Sequence, residues 1–248
     1  METPRLLLIF AHPDDESVFA AGTAAKCVEA GGHVALCTAT PGERGRAGAP
    51  PVCTPADLGR VRQHELVAAC RELGIGTLRV LGYQDRALAV APAETIRRQL
   101  VEVIRAVRPQ VVITFDPNGS NLHPDHVAIS RFAGDAVAAA ADARWFPELG
   151  AAHAVTRVLW TLPVKPWDLL RRGDPAGEPG VDYAIDIRPW SACKAAALRA
   201  HRSQHLGMDR IFFSKLDVDR LLGVELFRLA AGPAPAIRPS GDVFADIL

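Results

Sequence analysis

The chain has 248 residues, 49% of them apolar and 23% charged, which suits an ordinary globular protein with a sizeable core. Lys plus Arg equals Asp plus Glu at 28 each, so no surplus charge points to a nucleic acid or an anionic membrane as partner. The longest apolar runs, residues 6–10 and 111–115, have strand length and fall far short of the ~20 residues of a membrane span.

The opening Met-Glu-Thr-Pro-Arg lacks the basic and apolar regions of a secretory leader. Five widely spaced cysteines (Cys27, Cys37, Cys53, Cys70 and Cys193) contain no Cys-x-x-Cys pair and fit buried thiols in a reducing cytoplasm. Arg5–Phe10 then reads as a fully buried strand, residues 16–29 as a helix closed by Gly31-Gly32, and His33–Thr38 as a second strand. Residues 56–73 read as a helix stopped by Gly74, and 77–81 as a third strand. Ala93–Val107 carries apolar residues at helical spacing (Ile96, Leu100, Val103, Ile104, Val107), Val111–Phe115 is a fourth strand, Pro124–Ala141 a helix and 158–162 a fifth strand. This alternation predicts an α/β protein: a Rossmann-like, doubly wound, mostly parallel sheet with helices on both faces.

The pattern changes after Pro163. Residues 165–180, with three Pro and three Gly, read as a loop or flap, 182–186 as a strand, 190–205 as a helix, and the last dozen residues as a mobile Pro/Gly-rich tail. The expectation is one domain over 1–248, with a core at 1–162 and a C-terminal cap and tail at 163–248.

Two segments echo each other. Strand one runs into Ala11-His12-Pro13-Asp14-Asp15-Glu16, and strand four, after Asp116-Pro117-Asn118-Gly119, into His123-Pro124-Asp125-His126. Each sets His-Pro-Asp at a strand-to-helix junction, the carboxyl end of a parallel strand, where ligands bind. Taken singly, the acids suit a helix N-terminus and the prolines a first turn. Together they supply two imidazoles and a carboxylate, the ligand set of an open zinc site. No dinucleotide Gly-x-Gly-x-x-Gly, P-loop or Gly-x-Ser-x-Gly elbow competes, and Ser17 has no serine-hydrolase context.

Ala-His-Pro-Asp-Asp-Glu near the N-terminus, with His-Pro-Asp-His about a hundred residues later, resembles the PIG-L/LmbE-like deacetylases, which remove acetyl groups from N-acetylglucosaminyl compounds. The resemblance runs from strand one through the helix after His126, with a weaker match over 194–204. It implies His12, Asp15 and His126 as metal ligands, Asp14 as general base, and His123 as oxyanion stabiliser or proton donor. Arg62, in Arg-Gln-His-Glu, matches a residue that contacts the sugar. Some relatives carry a tyrosine just before the second motif. Here the segment is Ser120-Asn121-Leu122, so a polar role falls to Asn121 or to a group elsewhere.

Asp116 is a candidate partner of a ligand histidine and equally a plain turn residue before Pro117. Residues 40–57, with Gly42-Glu43-Arg44-Gly45, are expected to form a mobile rim that holds the sugar with Arg62, Glu43 and Asn121. The expected chemistry is amide hydrolysis by zinc-activated water on a small amino-sugar substrate, with iron(II) or another divalent ion as the alternative metal. The rival readings are a zinc amidase for a larger thiol conjugate or antibiotic amide, and a non-catalytic sugar-binding module. The composition leaves a homo-oligomer open.

Overall fold

The computed structural model describes residues 2–162, 177 and 180–248. The expected flap at 165–180 lies outside the described residues, apart from 177 and 180. Seven strands form one sheet: β1 (Arg5–Phe10), β2 (His33–Thr38), β3 (Thr77–Val80), β4 (Val111–Phe115), β5 (Arg157–Leu162), β6 (Tyr183–Asp186) and β7 (Val224–Ala231). Their spatial order is β3-β2-β1-β4-β5-β7-β6. The first five pair in parallel, while β7 runs antiparallel to both β5 and β6.

The helices are α1 (Asp15–Phe19), α2 (Ala21–Glu29), α3 (Leu58–Leu73), α4 (Ala93–Val107), α5 (Pro124–Ala141) and α6 (Ser191–Ala200), joined by shorter turns. They pack in two groups, α4 with α5, and α2 with α3 and α6. Right-handed crossovers on either side of β1 send these groups to opposite faces of the sheet. β1 and β4 are therefore covered on both sides, which is why their residues are apolar without alternation and fully buried from Leu6 and from Val111. β1 pairs with β4, so the strand order reverses between them and their carboxyl ends open the switch-point crevice.

The C-terminal part both caps and extends the sheet. α6 lies against α3, and β6 and β7 add the antiparallel edge. β7 is absent from the expected elements because its apolar pattern is broken by Glu225, which is 3% exposed. Glu225 explains a second difference. The single helix expected over 16–29 is broken at Ala20 (φ −144°, ψ 14°). The new N-terminus presents Gly22 and Thr23 N–H groups to the Glu225 carboxylate at 3.0 and 2.8 Å, and Lys194 Nζ closes the group at 2.7 Å. The tail expected to be mobile is docked instead. Val243 and Phe244 join the core, and the Arg157 guanidinium donates to the carbonyls of Val243, Ala245 and Pro233.

Candidate functional site

β1 and β4 end side by side, and the residues that follow them meet above the sheet. His12 follows β1 directly and Asp15 opens α1; His126 lies in the first turn of α5. His12 Nδ1 stands 3.1 Å from His126 Nε2, His126 Nε2 stands 3.4 Å from Asp15 Oδ1, and His12 Nδ1 stands 3.7 Å from Asp15 Oδ2. All three residues are buried. Ligand bonds of about 2.1 Å at tetrahedral angles set donor atoms roughly 3.4 Å apart, and the three residues stand near that spacing, with Asp15 presenting Oδ1 to His126 and Oδ2 to His12.

The remaining ring nitrogens fix the tautomers. His12 Nε2 faces two carboxylates, Asp85 Oδ1 and Asp125 Oδ2, each at 3.2 Å, and therefore carries the hydrogen. His126 Nδ1 faces the Gly119 carbonyl at 3.1 Å and donates to it. In the neutral rings both lone pairs, on His12 Nδ1 and His126 Nε2, then point at each other beside an acid. Only a proton or a metal cation relieves that arrangement. Burial opposes charge on His12, but the hydrogen bonds to Asp125 and Asp85 prevail and push its imidazole up to about 10. Burial and the charge of His12 hold His126 down at about 4, while burial lifts Asp15 to about 6. The cluster is built to hold one positive charge.

Asp15 is fixed from behind by N–H groups of Ala11 and His12 on Oδ2, at 3.2 and 2.8 Å. His126 is stacked on Phe115 at 4.0 Å and 6°. Gly119, at φ +64°, is the only residue type that fits its turn, because a Cβ there would meet His126 Cβ at 2.6 Å. Other groupings of donor atoms exist, His12 with His123 and His126, and His12 with Asp85 and Asp125. Asp85 and Asp125, however, take the N–H of His12 Nε2, the ring edge away from Nδ1. His123 Nδ1 accepts the Asp125 N–H at 3.2 Å, so its own hydrogen sits on Nε2. Burial, then the charges of His12 and His126, hold the His123 ring below its usual value and favour the neutral donor.

Asp14 lies between Arg62 and the cleft. Its backbone is held at φ 114°, a conformation that costs an L-residue roughly 1–3 kcal/mol. The Asp14 N–H donates to Glu16 Oε2 at 3.0 Å, and Glu16 Oε1 pairs with His201 Nε2 at 2.8 Å, both side chains being fully buried. Burial lifts the Asp14 carboxyl, and the Arg62 charge opposes the lift.

Arg62, Glu43 and Asp116 have partners other than those expected. Arg62 is 3% exposed, and its terminal nitrogens bond Gly42 O (2.8 Å), Pro13 O and Asp14 Oδ2 (3.0 Å). Both terminal nitrogens are engaged by the protein, so Arg62 backs Asp14, and it also lines the cleft. Glu43 accepts the Asp85 N–H at 2.9 Å and so braces Asp85. Asp116 touches neither His12 nor His126. It accepts the Asn118 and Ser120 N–H groups at 3.3 and 2.6 Å and shapes the turn whose Gly119 carbonyl holds His126. Asn121 is exposed and lines the cleft, with Oδ1 bonded to the His123 N–H.

The direct supports of the histidines, Asp85 and Asp125, and the His201–Glu16 pair under Asp14 were not expected. Asp125 and Glu16 lie inside the two motifs but look there like helix-start acids. Asp85 and His201 stand alone in sequence, though His201 falls within the weaker match at 194–204. The cleft holds about 280 Å3 and is lined by His12, Asp14, Asp15, His123 and His126, with Arg44, Arg86 and Gln204 at its mouth.

This is an α/β protein that carries two histidines and a carboxylate at the switch point of a parallel sheet. Residues 7–137 match the family model described as PIG-L, GlcNAc-PI de-N-acetylase. The chain is 36% identical to a 1D-myo-inositol 2-acetamido-2-deoxy-alpha-D-glucopyranoside deacetylase of Geodermatophilus obscurus, over 92% of each chain. A conserved protein of Thermus thermophilus superposes with a TM-score of 0.70 at 26% identity, covering 93% of this chain and 96% of that one. The N,N'-diacetylchitobiose deacetylase of Pyrococcus horikoshii does so with 0.70 at 22% identity, covering 92% and 84%, and supports the fold. The chain belongs to the PIG-L de-N-acetylase family. Deacetylases of this family are metal-dependent, and among the described residues no helix is long and apolar enough to cross a membrane.

Proposed function

We propose that this protein is a metal-dependent N-deacetylase of a small N-acetylglucosaminyl compound, of the kind named for its relatives, an N-acetylglucosaminyl inositol. The observation that carries the reading is the approach of His12 Nδ1 and His126 Nε2 to 3.1 Å beside Asp15, while acceptors take the outer nitrogen of each ring. These three residues are the ligands in this reading, and zinc suits two nitrogens and one oxygen with a position left open. A divalent ion held there would supply an acidified water and a polarising charge for the acetyl carbonyl.

The rest of the chemistry belongs to the chain. Asp14 takes the proton of the attacking water at Oδ1, because Arg62 engages Oδ2 and turns the free oxygen to the cleft. His123 donates from Nε2 to the developing oxyanion and then to the departing nitrogen, its ring being oriented by the Asp125 N–H. Asp85 and Asp125 hold the His12 ring with its lone pair on the cleft side. Asn121 offers its free amide hydrogens to sugar hydroxyls. The chain acts as one domain, and five cysteines without a disulfide fit work in the cytoplasm.

The test is release of amine and acetate from an N-acetylglucosaminyl inositol by purified protein supplied with zinc. The reading predicts turnover that is lost on chelation. Turnover no faster than buffer across a set of N-acetylglucosaminyl glycosides would contradict it.

A further inference from the structure

The C-terminal cap reaches the site through one segment, residues 201–204, which follows α6. Three of its side chains bind three different parts of the cleft wall. His201 Nε2 pairs with Glu16 Oε1 at 2.8 Å. Ser203 is held on the Glu65 carboxylate at 2.7 Å through both its N–H and its Oγ. Gln204 Nε2 donates to the Arg46 carbonyl in the rim loop at 2.6 Å. Glu65 lies one turn on from Arg62, so the same face of α3 braces Asp14 through Arg62 and the cap segment through Glu65.

The backbone of Asp14 is held from both sides. The Pro13 carbonyl and the Asp14 N–H belong to one planar peptide group. Arg62 binds that carbonyl, and Glu16 Oε2 accepts that N–H at 3.0 Å. Beyond the Cα, the Asp14 carbonyl accepts the Val18 N–H at 3.0 Å. With both flanking planes fixed, Asp14 stays at φ 114° and its side chain keeps its direction. Glu16 in turn depends on His201. Its fully buried carboxylate takes the Ser17 hydroxyl at 2.6 Å and His201 Nε2 on Oε1, which leaves Oε2 aimed at Asp14. His201 is also fully buried, and among the described residues its ring makes this one hydrogen bond while Nδ1 is buried without a partner. An apolar side chain would fill the same space with no orphaned nitrogen. The histidine therefore serves one contact, the one that orients the Glu16 carboxylate.

We propose that His201 is a positioning residue of the reaction: acting through Glu16, it holds the Asp14 backbone in the conformation that aims the base at the attacking water. This rests on the deacetylase reading and adds to it a residue of the C-terminal cap. Fully buried, His201 stands behind Glu16 and out of the cleft, so its loss slows the chemical step and leaves substrate binding and the metal in place.

The experiment follows amine release from an N-acetylglucosaminyl inositol by the zinc-loaded parent, His201→Leu and His201→Gln, each made with and without Asp14→Asn. Glutamine keeps a nitrogen donor near the place of Nε2, and leucine removes it. His201→Leu is expected to lower kcat by ~10-fold or more with KM and zinc content within about twofold of the parent, and His201→Gln to restore kcat to within about threefold. With Asp14→Asn already present, His201→Leu should change turnover by about twofold or less, because the group it positions is gone. Parental kcat in His201→Leu, a loss of equal size in both backgrounds, a loss that follows lost zinc, or a His201→Gln variant as slow as His201→Leu would overturn the proposal. Hydrogen exchange at the Asp14 amide reads the same contact without turnover. It is expected to quicken at least ~10-fold in His201→Leu and to stay near the parent in His201→Gln, and unchanged exchange in His201→Leu would also overturn the proposal. If His201→Leu does not fold, His201→Asn, whose shorter side chain falls short of Glu16 Oε1, takes its place with the same expectations. Absence of turnover in the parent would overturn the deacetylase reading, and the Asp14 amide then decides whether His201 holds Asp14.

Discussion

Asp14 and Asp15 are adjacent and chemically alike, yet the turn after β1 directs them apart. Asp15 reaches His12 Nδ1 and His126 Nε2, while Asp14, at φ 114°, faces Arg62 and the cleft. Asp14→Asn is predicted to keep its metal and to lose at least ~100-fold in turnover, the scale of a missing general base. Asp15→Asn is predicted to lose metal affinity first. Metal content and turnover of both variants check this, and the reverse pattern would exchange the roles. Arg62→Ala is predicted to lower kcat by ~10-fold or more with a smaller change in KM, because its fork holds Asp14 and not the sugar. Steady-state kinetics decide it, and a raised KM at constant kcat would restore the sugar contact. At this scale the sequence was legible where residues came in a pattern. Two matching motifs pointed to a pair of histidines and a carboxylate, and the family resemblance singled out His12, Asp15 and His126 among them. The partners of their outer nitrogens did not stand out, because Asp85 and the Gly119 carbonyl meet the histidines only through the fold and carry no spacing of their own.

The elements place these side chains through their ends. The turn from β4 to α5 sets His126 by a backbone carbonyl, and a Cβ on Gly119 would collide with His126. Gly119→Ala is predicted to weaken metal affinity ~10–100-fold with the fold retained, since the lost contact orients a ligand ring. Metal competition with a chromogenic chelator, alongside circular dichroism, measures both. Affinity unchanged from the parent would show that the turn does not set the ligand. On the far side of the sheet, Glu225 caps α2 and pairs with Lys194, both nearly fully buried. Glu225→Ala strands a buried ammonium and three donors, and is predicted to cost about 3–5 kcal/mol in a denaturant titration. A loss below about 1 kcal/mol would contradict this account of the helix break. Six strands and the helices α3, α4, α5 and α6 could be read from apolar runs and their stops. β7 could not, because the buried acid that caps α2 interrupts its apolar run.

Over the whole molecule, the thiols report which layers are closed. Cys27, Cys37 and Cys70 are buried and burial pushes each thiol up to about 12, whereas Cys53 and Cys193 are half-buried. At pH 8 a thiol of that kind is ionised in roughly one molecule in ten thousand. Labelling of the native chain is therefore predicted to stop at two thiols and to reach five only in denaturant. Five fast-reacting thiols in the native chain would contradict the packing described. The tail is the molecule-scale feature that composition misjudged. Its Pro and Gly content suggested mobility, but Val243 and Phe244 find a place in the core and Arg157 binds the Val243 and Ala245 carbonyls. The central claim is that one cation between His12, Asp15 and His126 makes the chain a deacetylase. It is tested most directly by titrating chelator-stripped protein with zinc while following amine release from an N-acetylglucosaminyl inositol. Activity should rise linearly and break at one ion per chain. Full turnover in the stripped protein, or an Asp15→Asn variant that titrates identically, would contradict it.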